Sequence, residues 1–132
     1  MPNGDYFDDA EWDSYLRQLE PMRQPIKEFA AKEGIEASFY YHGWPHMILE
    51  WFNAQRIKCQ VTFSLNPENK TTYDLVISGR KEINKIIYSA KKFVEKDVKP
   101  PFEYAIIIDL IKNAVVLCNS FREEDLSLSK ST

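Results

Sequence analysis

In "FYYHGWPHMILEWF" (39–52), His42 and His46 stand four residues apart and Glu50 follows after four more. Four is the spacing of two zinc ligands on one helical turn. Gly43 and Pro45 between them defeat that helix, so the imidazoles converge only across a tight turn between two strands. There, His42, His46 and Glu50, on the same strand face as His46, form a candidate metal trio with no fourth ligand in view. A small metal-dependent enzyme is therefore the minor reading, and no cofactor is expected.

Other routes to catalysis are weaker. Cys59 and Cys118 lack metal-type spacing and sit in apolar patterns away from an activating cation. A buried thiol of that kind is generally inert, so both are expected as reduced core residues of a cytoplasmic chain. No Gly-x-Ser-x-Gly elbow occurs, Ser78-Gly79 reads as a strand end, and glycines scattered at 4, 34, 43 and 79 form no phosphate-cradling loop. Among carboxylates, Asp74 falls on the polar face of an alternating strand. Asp109 has apolar neighbours on both sides, where a carboxylate must find a partner or have its pKa raised. A strand-end salt bridge is its plainer role. The chain is not expected to be an enzyme.

Binding is the stronger expectation. Trp44 at the turn tip, with His42, His46 and Tyr40, forms a candidate partner-binding surface, since Trp and Tyr bury large areas at small entropic cost. The plainer alternative folds Trp44 back over the sheet edge as core. The leading reading is a non-catalytic protein-binding domain, by analogy an inhibitor or immunity-type protein that neutralises its partner.

The competing reading is an RNA- or DNA-binding module. Residues 1–33 hold eight acids against four bases, whereas residues 80–99 hold seven bases against three acids. Arg80, Lys81, Lys85 and Lys92 lie in that basic stretch. "GWPH" (43–46) between two strands is similar to the Gly-Pro-x-His loop of the double-stranded RNA-binding domain. Arg80, Lys81 and Lys85 resemble that family's helix-start lysines. The resemblance covers residues 22–96 and implies a basic helix at 80–96. The sequence departs from the pattern where Trp44 displaces the proline by one place and where an extra strand intervenes. A formal net charge of −3 also weighs against a general nucleic-acid binder.

These side chains need elements to position them. With 132 residues, 44% hydrophobic and 28% charged, the chain is expected to form one domain over 1–132. Its ends, 1–8 and 123–132, are expected to be flexible. The start is acidic and has no basic-then-apolar leader, and the densest apolar run, "YAIIIDLI", falls far short of a membrane helix.

Apolar stripes predict helical pieces at 9–20 and 22–33, broken at Pro21. From residue 36 the period changes to two. "ASFYYH", "HMILEWF", "RIKCQVTFSL" and "TTYDLVISG" predict a four-stranded antiparallel meander over 36–79. Ile83, Ile86, Ile87, Ala90, Phe93 and Val94 fall on one stripe with lysines opposite, predicting a basic helix at 80–96. "EYAIIIDLI" and "AVVLCNSF" around "KN" read as a C-terminal hairpin, apolar on both faces. As a sheet edge, 103–121 would supply a homodimer surface. The expected class is α+β, in the order α-β-β-β-β-α-β-β.

Overall fold

Alternation builds the centre of the molecule. In "KCQVTFSL", Cys59, Val61, Phe63 and Leu65 are buried while Lys58, Gln60, Thr62 and Ser64 face the other way. The computed structural model describes residues 9–40, 46–66, 68, 72–98 and 103–128. In chain order the elements are α1 (Asp9–Glu33), β1 (Glu36–Tyr40), β2 (His46–Phe52), β3 (Lys58–Leu65), β4 (Tyr73–Ile83), β5 (Ile86–Val98), α2 (Tyr104–Asn119), a 3-10 turn (Glu123–Asp125) and β6 (Ser127–Leu128). All six strands form one antiparallel sheet in the order β1-β2-β3-β4-β5-β6. The class is α+β, as expected, with the helix and strand assignments of two segments exchanged.

The first exchange concerns 80–96. This stretch is the end of β4, a two-residue turn and most of β5, not a basic helix. Asn84 and Lys85 both take positive φ, 51° and 69°, the backbone that a tight hairpin turn demands and that Asn-Gly usually supplies. β-branched Ile83 and Ile86 pair directly across that turn. The basic helix implied by the resemblance to the double-stranded RNA-binding domain is therefore absent, and the resemblance ends there. Because a lysine occupies a glycine position, Lys85→Gly is expected to stabilise. Relief of the left-handed penalty, about 1–2 kcal/mol, outweighs an entropic cost of about 0.5–1 kcal/mol. Thermal melting reads a rise of about 2 °C; a fall would show that the Lys85 side chain contributes more than its backbone costs.

The second exchange concerns 103–121, expected as a hairpin and found as α2. Ile107, Ile111, Ala114, Val115 and Cys118 recur at helical spacing and are all buried. Ile106 and Val116, on the outer side, are exposed, which explains why the sequence looks apolar all round. The sheet-edge dimer surface expected at 103–121 is thereby replaced by a helix. Asp109 lies on its exposed side, not within a strand.

α1 is one helix rather than two pieces, with Pro21 and Pro25 inside it. Each proline removes a helical hydrogen bond. Their spacing of four places both losses on one side, away from the buried stripe of Leu19, Met22, Ile26 and Ala30. Packing of that stripe holds the helix through both interruptions.

Both helices lie on the same face of the sheet. α2 contacts β3, β4 and β5, while α1 contacts β1 and runs beside α2. One contiguous core joins their stripes to Met47, Leu49, Val61, Phe63, Tyr73, Leu75 and Ile77. Lys112 over the Phe29 ring, at 5.5 Å, links α2 to α1, and Arg23 over Phe39, at 5.9 Å, links α1 to β1. Cys59 and Cys118 are both buried and meet where α2 crosses β3, with Cys59 Sγ 3.2 Å from the Cys118 carbonyl oxygen. The Cys118 thiol is raised above its ordinary pKa by its hydrogen bond to Cys59 and by burial, which suits an inert core thiol. Of the expected flexible ends, 1–8 and 129–132 lie outside the described residues. Residues 123–128 form the 3-10 turn and β6, which pairs with Tyr88 and Ser89 of β5.

Candidate partner-binding face

Because both helices pack on one side, no element among the described residues covers the other face of the sheet. Register fixes which side chains share that face. One row runs Tyr40–His46–Ser64–Asp74 across β1 to β4, the next Ser38–Ile48–Thr62–Val76, and the next Glu36–Glu50–Gln60–Ser78. Ile48 and Val76 are half-buried apolar residues in the middle of a face that would ordinarily be polar throughout.

At one end Tyr40, 46% exposed, stacks on His46 with ring centroids 4.8 Å apart and planes 19° apart. Tyr40 and His46 are thus brought together as part of this face. Trp44 and His42, the other expected anchors, lie outside the described residues. His46 and Glu50 share the open face but are four strand residues apart, about 13 Å at ~3.3 Å each, too far to hold one ion together. Glu50 Oε2 instead accepts from Gln60 Nε2 at 2.9 Å. Among the described residues no group of three or more His, Cys, Asp or Glu could hold a metal.

At the opposite end the sheet carries a groove of about 490 Å³ lined by Phe52, Arg56, Lys58, Arg80, Lys81 and Glu82. A smaller hollow of about 180 Å³ adjoins it over Glu50, Gln60 and Ser78, sharing Lys58 and Arg80. Phe52 is 69% exposed. Lys81 is turned to the helix side and donates to Glu123 Oε2 at 3.0 Å. Arg56, Lys58 and Arg80 have no acidic partner among the described residues. Of the basic residues proposed from sequence, only Arg80 thus lies on this face unpaired. Lys85 sits in the β4–β5 turn, and Lys92 pairs in register with Ile77.

Asn53 builds the turn that carries Arg56. Its side-chain oxygen accepts from the backbone N–H groups of Gln55, at 2.8 Å, and Ile57, at 3.1 Å. The Asn53 N–H donates to the Ile57 carbonyl, and the Arg56 N–H donates to the Asn53 carbonyl. This closure forces Arg56 to φ 66°, a left-handed backbone in which glycine costs least. On its other side the Asn53 amide nitrogen donates to the carbonyls of Cys118, at 3.2 Å, and Phe121, at 3.0 Å, adding to the bond that the Cys118 carbonyl accepts from the Phe121 N–H at the end of α2. Trp51 Nε1 adds a bond to Asn119 Oδ1 at 2.6 Å. The groove wall and the helix end are one assembly.

Of the residues singled out from sequence, Tyr40, His46 and Arg80 lie on this open face, Arg80 on a strand rather than at the start of a basic helix; Phe52, Arg56 and Lys58 beside it were not singled out. The signal was present in "FNAQRIK": an aromatic at a strand end, then a short turn, then two cations. Compared with family models, with curated proteins and with solved structures, the chain matches none.

Proposed function

We propose that the chain is a non-catalytic protein-binding domain that receives a partner protein on the open face of its sheet. The observation that carries this reading is that both helices occupy one side. This leaves two aliphatic residues, Ile48 and Val76, flanking Thr62 in one row, with an exposed aromatic towards each end of the face, Tyr40 and Phe52. Exposed aromatic rings at the two ends with aliphatic residues between are the composition of an interface centre. An inhibitor or immunity-type role is the form of this reading in which the covered surface of the partner is itself an active site. The buried thiols Cys59 and Cys118 suit a reducing compartment, so we place the domain in the cytoplasm on the same footing. Among the described residues no helix is long and apolar enough to cross a membrane.

Two outward substitutions test the proposal. Val76→Arg and Phe52→Ser change half-exposed or exposed positions, so melting temperature should move by only a few degrees. Proteins captured from native lysate by the immobilised parent are identified and purified, and their affinity is measured for parent and variants. Affinity is expected to fall about tenfold or more for each variant. Equal retention by parent and both variants would sink the proposal.

A further inference from the structure

We infer that the groove between Phe52, Arg56, Lys58 and Arg80 binds an acidic peptide segment of the partner, one that carries carboxylates beside an apolar residue. This rests on the protein-binding reading of the same face and names the chemistry recognised there.

Charge is the first argument. The chain carries a formal net charge of −3, yet three cations without acidic partners among the described residues converge on one groove. Two are arginines, whose planar guanidinium groups give two parallel N–H donors to one carboxylate. Phe52 at the same groove offers an apolar surface to the neighbouring residue of a bound segment.

Backbone is the second argument. Arg56 occupies a left-handed position at which a glycine would hold the turn at lower cost. Among the described residues its side chain makes no ion pair that repays this within the domain, and it lines the groove. A cation kept where the fold favours glycine points to a ligand that uses it.

The flanks decide between an acidic peptide and a nucleic acid. Glu82 lines the groove at one end, and Glu50 lies beyond Lys58 and Arg80 in the adjoining hollow. A phosphate backbone running through the site would meet both carboxylates, with a charge at every nucleotide. One or two carboxylates held between them would not. The bracketed spot fits a compact anion.

A displayed library of random dodecapeptides, selected on the whole immobilised domain, supplies the probe. Enriched sequences are expected to carry Asp or Glu next to an aliphatic or aromatic residue. The best of them, made synthetically and labelled, should bind more weakly as salt is raised, because exposed pairs are screened. Affinity should fall on the order of 30-fold in the triple variant Arg56→Gly/Lys58→Gln/Arg80→Gln, about threefold for each exposed pair. Arg56→Gly alone should weaken binding about threefold while its melting temperature stays level or rises. That pairing separates a lost contact from a damaged fold. Enriched peptides without acids, unchanged affinity in the triple variant, or displacement of the peptide by single-stranded DNA or duplex RNA at lower concentration than by an acidic competitor would each overturn the inference. Partner capture lost in Val76→Arg but kept in the triple variant would overturn it and leave the protein-binding reading standing. Capture unchanged in all of them would remove both.

Discussion

An Asn53→Ala variant is expected to melt about 10 °C below the parent, reflecting a loss on the order of 3 kcal/mol. Asn53 is 7% exposed, and its amide makes four hydrogen bonds, two received from the β2–β3 turn and two given to the end of α2. Truncation takes the acceptor from the N–H groups of Gln55 and buried Ile57 and one donor each from the carbonyls of Phe121 and Cys118, the latter keeping the Phe121 N–H. Each such group costs roughly 1–3 kcal/mol when nothing replaces the bond, and partial relaxation trims the sum. Asn53→Asp sharpens the test. A carboxylate still accepts from Gln55 and Ile57 but cannot donate to the carbonyls of Cys118 and Phe121 while ionised. If the helix-side bonds matter as argued, the aspartate variant is destabilised about as much as the alanine one at neutral pH. Differential scanning calorimetry decides it. A drop of less than about 3 °C in both would show that Asn53 is not the joint between sheet and helix.

Gly79 gives the second large effect, by the opposite mechanism of too little room. It lies inside β4, paired with Cys59 on one side and Ala90 on the other, and so does not end a strand. A Cβ placed there would come within 2.6 Å of Phe121 Cδ2 and 3.1 Å of Ile57 Cγ2. Phe121 is itself buried, so its ring cannot swing into solvent to make space. Gly79→Ala is expected to cost about 1–3 kcal/mol, and Gly79→Val more. Phe121→Ala alone is expected to cost about 3–5 kcal/mol through the cavity it leaves. The double variant should be more stable than the sum of the two losses, because each change relieves the other. A strictly additive double-mutant cycle by urea titration would show that Gly79 is small for some reason other than the ring above it.

How much of this was legible follows from how each segment declares its period. The alternation in "RIKCQVTFSL" is strong because one face of β3 is covered and the other is open, so Cys59, Val61, Phe63 and Leu65 separate cleanly from their neighbours. Residues 80–96 mislead because Ile83, Ile86, Ile87 and Ala90 satisfy a helical stripe as readily as they satisfy two strands meeting at a turn. The deciding clue is Asn84-Lys85 between β-branched residues, disguised by a lysine where glycine is usual. Residues 103–121 mislead for the converse reason. Their isoleucines and valines favour strands, but the buried set from Ile107 to Cys118 keeps a helical period through the "KN" taken for a turn. Pro21 reads as a break because local propensity cannot weigh the tertiary packing of Leu19, Met22 and Ile26. As for the candidate site, Tyr40 and His46 were visible as aromatic crowding. The groove was not, since Phe52, Arg56, Lys58 and Arg80 come from two separate stretches that only the β3–β4 register, with Lys58 opposite Arg80, draws together.

The strand order β1-β2-β3-β4-β5-β6 also governs how the chain is made. From β1 to β5 every sheet neighbour is a neighbour along the polypeptide, so pairing advances hairpin by hairpin; β6 follows α2 and adds at the edge, so no strand must later be threaded between two others. The helix that roofs β3, β4 and β5 is translated after all of them. During synthesis the inner side of those strands, with Val61, Phe63, Leu75 and Ile77, is therefore bare until α2 emerges. The nascent chain passes through an interval of greatest stickiness just before its last helix appears, and that interval is when a holding chaperone would find it.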